Sequence, residues 1–217
     1  MSYKLVVGLG NPGSEYAETR HNMGFMLLEK FLGSHRPERW EKVHICNSYC
    51  YVGSFAGSKL ILQLPQTFMN NSGTAVAKLM RQEKIEPSEV IVAYDDMDLE
   101  PGRLRIKRNG SSGGHHGIDS IIEELNGNGN FTRLRLGIGH GRETIDHVLS
   151  KFSESEVPAV EATLETGCKA LEMLLRCGVG KAMNEYNSWS YQAPEAEKAT
   201  DEKKETEKDQ KIQEVLF

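Results

Sequence analysis

The sequence predicts a single α/β domain: a twisted, mixed and mostly parallel sheet flanked by helices. Three observations carry that expectation. Short apolar runs of strand length alternate with longer amphipathic runs of helical period. Several of the intervals between strand-like runs are long enough for crossover connections. A chain of 217 residues that is 38% hydrophobic suits one sizeable core with a modest surplus left for a tail.

The elements follow in order. KLVV at residues 4–7 reads as a short strand, and MGFMLLEKF carries a helical period over residues 23–31. Residues 43–55 and 59–64 read as two strands joined by a hairpin around Gly57 and Ser58. A helix is expected at 72–82, then strands at 90–94 and 103–107, a helix at 118–125 and a strand at 131–138. Helical patterns close the domain at 154–176 and, more briefly, at 181–186. No internal repeat is apparent. Residues 1–190 are therefore expected to form the domain and 191–217 a charged, solvated tail, because APEAEKATDEKKETEKDQK has too little apolar surface to offset the entropy of ordering it. The terminal IQEVLF is its only stretch able to dock, and then weakly.

Composition narrows the class. The net charge is −5, of which residues 195–217 contribute −3 through eight acids and five lysines, so the body near −2 can still carry a basic face. There is no leader-like apolar region at the N-terminus and no apolar run long enough to span a bilayer, which points to a cytoplasmic protein without membrane contact. Cys46, Cys50, Cys168 and Cys177 lack CxxC spacing and read as ordinary thiols rather than a zinc site or disulfide framework.

The stretch GLGNPGSEYAETRHNMG matches GxGxxG at Gly8, Gly10 and Gly13. A dinucleotide site also needs the last glycine to open a helix and an acid to end a second strand about 20 residues on. Neither is present: the helical period begins near Met23, and Glu29 sits inside it. Another use is needed for Asn11, Tyr16 and His21.

Five polar stretches interrupt the pattern at strand ends or helix starts: GNPG, TRHN, FMNNSG, AYDDMDL and GSSGGHHG. In open α/β sheets such loops gather in one crevice. His21 is the candidate general base, since imidazole is well matched to proton transfer near neutral pH. The alternative is a helix-start histidine with a local hydrogen bond. Asp95, directly after VIVAY, is the best-placed acid to orient it, with Asp96 and Asp98 as competitors and turn or cap roles as the common alternative. Asn11 and Asn70 offer uncharged donors and acceptors for a peptide-like substrate, against turn and cap roles. Tyr16 and Phe68 can wall the same crevice or belong to the core.

Arg103, Arg105 and Lys107 alternate along one strand, and Arg133 and Arg135 along another, so each set shares a face. Five cations on two strands favour phosphate, against an exposed face merely dotted with charge. GSSGGHHG opens a helix whose free N–H groups can take an anion, although no GK[ST] follows as in a P-loop.

Together VGLGNPGSEYAETRHNMG, PQTFMNNSG, VAYDDMDLEPGRLRIKRNGSSGGHHGI and NFTRLRLGIGH resemble the bacterial-type peptidyl-tRNA hydrolases, over about residues 3–190. The resemblance implies a monomeric cytoplasmic enzyme, without metal or cofactor, that hydrolyses the ester between a peptide, or an N-blocked amino acid, and the 3′ end of tRNA. It implies His21 as the base that activates water, with Asp95 holding it, and Asn11 as the residue that tells blocked from free aminoacyl-tRNA. Tyr16, Phe68 and Asn70 would line the peptide and 3′-end site, and Arg105, Lys107 and Arg135 would meet tRNA phosphates. One departure stands out: the family usually has Asn after GGH, where this chain has His116, in a position implied to bind substrate. The competing reading from another class is a noncatalytic RNA-binding relative similar to the plant group II intron splicing factors. A dinucleotide-dependent enzyme is the third.

Overall fold

The computed structural model describes residues 3–35, 39–141 and 144–193. Seven strands form one sheet: β1 (Leu5–Gly8), β2 (Glu41–Ile45), β3 (Ser48–Phe55), β4 (Ser58–Pro65), β5 (Val90–Asp96), β6 (Leu104–Lys107) and β7 (Thr132–Gly137). The helices are α1 (Met23–Ser34), α2 (Ser72–Glu83), α3 (His116–Glu124), α4 (Thr144–Leu149), α5 (Val157–Cys177) and α6 (Val179–Tyr186). The strand order is β2-β3-β4-β1-β5-β7-β6. Pairing is parallel through β4-β1-β5-β7, while β2 and β3 on one side and β6 on the other join antiparallel.

Burial explains why the central strands read as apolar runs rather than as alternation. Every residue of β1 is buried, because both faces of the sheet are covered. Val6, Ile91 and Leu134 pack towards Leu28, Leu171 and Ala182 of α1, α5 and α6. Leu5, Val7 and Val92 face the other way, towards Val76 and Ile118 of α2 and α3.

Two elements differ from expectation. The run at 43–55 is broken into β2 and β3 by a two-residue turn in which Cys46 and Asn47 both take φ of 51°. Positive φ at both central positions marks the twist-matched hairpin turn, and with no glycine there the sequence gives little sign of it. Helix α4 has six residues and buries none of them fully, so it leaves no apolar period to read.

The Tyr191 N–H donates to Gly102 O at 2.7 Å, and Ser190 bridges Arg103. Residues 194–217, with nearly all of the expected tail and its IQEVLF end, lie outside the described residues. Among those described, no helix is long and apolar enough to cross a membrane.

What positions the site is a close backbone approach. From β1 the chain goes on to β2, β3 and β4 on one side, and from β5 to β6 and β7 on the other, so the crevice at the carboxyl ends of β1 and β5 is a topological switch point. The start of α1 is pressed into that point: a Cβ on Gly24 would lie 2.3 Å from Ala93 O and 2.4 Å from Leu9 N, and one on Gly8 would lie 2.4 Å from Gly24 O. Thus Gly8 serves helix-on-strand packing. Gly24→Ala is expected to destabilise the fold by about 3 kcal/mol or more, as for an overpacked core that cannot yield, measured by urea or thermal unfolding. A loss under about 1 kcal/mol would mean that the backbone relaxes at this crossing.

Candidate active site

At the end of β5 the Asp95 carboxylate is 2% exposed and lies between two imidazoles. His21 Nδ1 is 3.0 Å from both carboxylate oxygens, and His115 Nε2 is 3.0 Å from Oδ1. Burial alone would raise the Asp95 pKa, but the two imidazoles outweigh it and hold the carboxyl well below the usual range. An ionised carboxylate only accepts, so His21 must donate from Nδ1, which leaves Nε2 of the neutral ring as an acceptor. His115 is fixed from both sides. Its Nδ1 accepts from the N–H groups of Gly117 and Ile118 at the start of α3, which puts its proton on Nε2, facing Asp95. Tyr94 packs edge-on to His115 with ring centroids 4.8 Å apart, and burial pushes its hydroxyl up to about 12.

His115 was not singled out from the sequence, where its neighbour His116 drew attention. The same cap corrects the expectation of an anion site at this helix start, because the imidazole already occupies those N–H groups. His116 is exposed at the first position of α3 and lines the cleft together with His21, Asp95, Met97 and Arg135. The helix α4 supplies the far wall through Thr144, Ile145 and Val148. One candidate ligand atom from each of His21, Asp95 and His115 lies within 4.8 Å of the other two, a spacing that could hold a metal ion.

The turn that carries His21 is clamped from behind by Arg20, a second residue that the sequence reading passed over. Arg20 is 7% exposed and makes a two-pronged ion pair with Glu156 at 2.7 and 2.8 Å. It also donates to Ile138 O at 3.0 Å and to Ser150 Oγ at 3.2 Å, and lies 4.5 Å over the Phe152 ring. Its backbone N–H adds a bond to Ser150 O at 3.0 Å.

Asn11 is likewise no local turn residue. Its Oδ1 accepts from the Met69 N–H at 2.8 Å, and Asn22 brackets its backbone with one bond in each direction, at 2.9 and 3.0 Å. Asn70 follows Met69 directly and is exposed. Tyr16 and Phe68 meet edge to face with centroids 6.5 Å apart, and Phe68 stays 60% exposed, so this pair forms a rim rather than core. His21 and Asp95 are in direct contact, while Asn11 is tied through Asn22 to the turn that carries His21 and through Met69 to the segment that carries Asn70.

The cations divide. Arg105 and Lys107 are exposed on β6 and form no ion pair among the described residues. In the β6–β7 register Arg105 pairs with Arg135 and Lys107 with Arg133. Arg135 is tied to Asp96, and less closely to Asp98 at 3.5 Å. The inclusion of Arg133 among phosphate-facing cations is corrected: it is 1% exposed, stacks 4.3 Å over Phe131, and gives its guanidinium to the carbonyls of Gly110, Gly129 and Phe131. It braces the loop between β6 and α3.

The family described as "Peptidyl-tRNA hydrolase" matches residues 5–196. The chain belongs to that family. Curated peptidyl-tRNA hydrolases from Desulforamulus reducens and Syntrophomonas wolfei are each 45% identical, covering 85% of this chain and 88% and 100% of their own lengths. The solved peptidyl-tRNA hydrolase of Acinetobacter baumannii superposes with a TM-score of 0.81 at 34% identity, over 87% of this chain and 96% of that one. A family member crystallised with N-propanol gives 0.80 at 33% identity, over 88% and 97%.

The Arg20 clamp carries an acid dependence. Burial disfavours the Glu156 carboxylate, but Arg20 and the Ser153 donors bring its pKa down to about 2 from an ordinary 4.5. A depressed folded-state pKa gives stability that is present above about pH 4.5 and is lost as pH falls towards 2. Urea unfolding should show about 2 kcal/mol of such loss after allowing for solvent screening, and Glu156→Gln should remove that part of the pH dependence. An unchanged acid limb in Glu156→Gln would place the effect elsewhere.

Proposed function

We propose that this protein hydrolyses the ester bond of peptidyl-tRNA, releasing the peptide and free tRNA, and does so as a cytoplasmic monomer. The observation that carries the site assignment is the His21 imidazole, held through Nδ1 on a buried carboxylate with Nε2 left to accept a proton. In the reaction, water attacks the ester carbonyl carbon while its proton passes to His21 Nε2. The imidazolium so formed is stabilised by Asp95. The tetrahedral intermediate then expels the ribose oxygen, which takes up a proton as the ring returns to neutral. Asn11 and Asn70 supply uncharged amide groups for the peptide, and Tyr16 and Phe68 its apolar rim. No covalent nucleophile is required by this scheme.

On the tRNA side, Arg105 and Lys107 supply free cations at the sheet edge, and Arg135 lines the cleft itself. Contacts of this kind give affinity that is salt-dependent and indifferent to sequence, as suits an enzyme acting on many tRNAs. Family membership weighs against the noncatalytic RNA-binding reading. A dinucleotide reading would need the last glycine to open a helix, whereas α1 begins only at Met23.

The test compares N-acetyl-aminoacyl-tRNA with unblocked aminoacyl-tRNA. The wild type should cleave the blocked substrate selectively, and folded His21→Ala should lose about 100-fold or more in kcat, the usual contribution of a general base. Binding of tRNA without cleavage of either substrate would overturn the hydrolase reading. For His116, where an imidazole stands in place of the family's usual amide, His116→Asn should keep turnover while changing KM and the pH dependence of kcat/KM. Superimposable profiles would remove His116 from the binding site.

A further inference from the structure

Asn70 is exposed in the turn Met69–Asn71 between β4 and α2, so its place is set by the backbone on either side of it. The upstream anchor is the Met69 N–H on Asn11 Oδ1. The downstream anchor is the start of α2, and that start has no side-chain cap of its own. Asn71 makes no capping bond, and Ser72 Oγ is buried without a partner among the described residues. The first N–H groups of a helix have no intrahelical partners, and a buried one must be met from elsewhere. Here the Gly73 N–H donates at 2.9 Å to Ser120 Oγ, which comes from α3, 47 residues away. Nothing in the catalytic scheme uses Ser120.

The two helices are shaped for this bond. Ser120 is buried, and a Cβ on Gly73 would lie 2.0 Å from Ser120 O and 2.8 Å from Ile121 N, so only glycine lets the α2 backbone come this close to α3. One turn nearer the start of α3, a Cβ on Gly117 would lie 2.5 Å from Met69 Sδ and 2.9 Å from Leu9 Cδ1. The segment with His115 and His116 is thus packed directly against the turn that carries Asn70, and Ser120 supplies the side-chain hydrogen bond across that contact.

We propose that Ser120 is a positioning residue, which sets the place of Asn70 in the cleft by capping α2 from α3. The proposal rests on the hydrolase reading and on the peptide-binding role given there to Asn70. Removing the hydroxyl leaves a buried N–H unmet, and the first turn of α2 relieves that cost only by shifting towards another acceptor, which carries Asn70 with it. The bonds that hold His21 on Asp95 do not pass through Ser120. The loss therefore falls on substrate binding more than on turnover.

The experiment measures kcat and KM on N-acetyl-aminoacyl-tRNA for wild type, Ser120→Ala, Ser120→Thr, Asn70→Ala and the double variant Ser120→Ala/Asn70→Ala, each checked for folding by circular dichroism. Ser120→Ala should raise KM roughly tenfold, the scale of one lost hydrogen bond, while kcat and its pH profile stay within about twofold. Ser120→Thr keeps the hydroxyl and should return KM to within about threefold of wild type. In the Asn70→Ala background the same Ser120→Ala change should cost less than about twofold, because the residue it positions is gone. Should Ser120→Ala not fold, Ser120→Cys, with a weaker acceptor of similar shape, takes its place in both backgrounds. An equal loss in both backgrounds, a fall in kcat in place of a rise in KM, or no loss at all would overturn the positioning role and leave the hydrolase standing. Asn70→Ala without effect would overturn it together with the peptide role of Asn70, and a wild type that cleaves no substrate would overturn it together with the hydrolase reading.

Discussion

The carboxylate of Asp95 is the constraint to which the candidate site answers. A buried charge of this kind is tolerated only where donors surround it, and here both oxygens are occupied by the imidazoles of His21 and His115. Each imidazole is thereby fixed in tautomer and orientation, and each belongs to a different part of the chain. His115 converts the demand of Asp95 into the cap of α3, and His21 is left with one ring nitrogen, Nε2, able to accept. One side chain thus ties the end of β5 to the turn after β1 and to the start of α3.

The rest of the molecule acts to keep that arrangement from relaxing. Gly8 and Gly24 let α1 sit directly on the strand backbones, so the turn before it has no room to move inward. Arg20 holds the same turn from outside, through Glu156 and the carbonyl of Ile138. Asn22 fastens it to Asn11, and Asn11 fastens it to Met69. An imidazole positioned by backbone contact on one side and by a charged clamp on the other has little freedom to reorganise, which is what the proposed base requires. The same turn separates two clefts of different character, one reaching towards a basic edge and the other lined by aromatic and oppositely charged side chains.

Much of this was legible in the sequence. The mixed α/β sheet follows from period and spacing, and the contact of His21 with Asp95 agrees with the expectation that polar stretches at strand ends and helix starts meet in one crevice. What escaped depends on contacts across the fold. His115 and His116 are identical in type and adjacent in sequence, and only the direction of the α3 start decides which one reaches Asp95. Arg20 reads as one more surface cation until Glu156, 136 residues away, is brought against it. Arg133 and Arg135 share a face by alternation, yet the loop between β6 and α3 folds over one and not the other. The turn at Cys46 and Asn47 is set by backbone twist between strands, which composition does not encode.

The most direct measurement is of the two ring nitrogens of His21 by ¹⁵N NMR at neutral pH, in the wild type and in Asp95→Asn. A neutral ring carrying its proton on Nδ1, with Nε2 bare, and a loss of that preference once the carboxylate is replaced, is the predicted result. A proton resident on Nε2 in the wild type would contradict it, because the nitrogen facing the substrate would then have no capacity to take a proton from water.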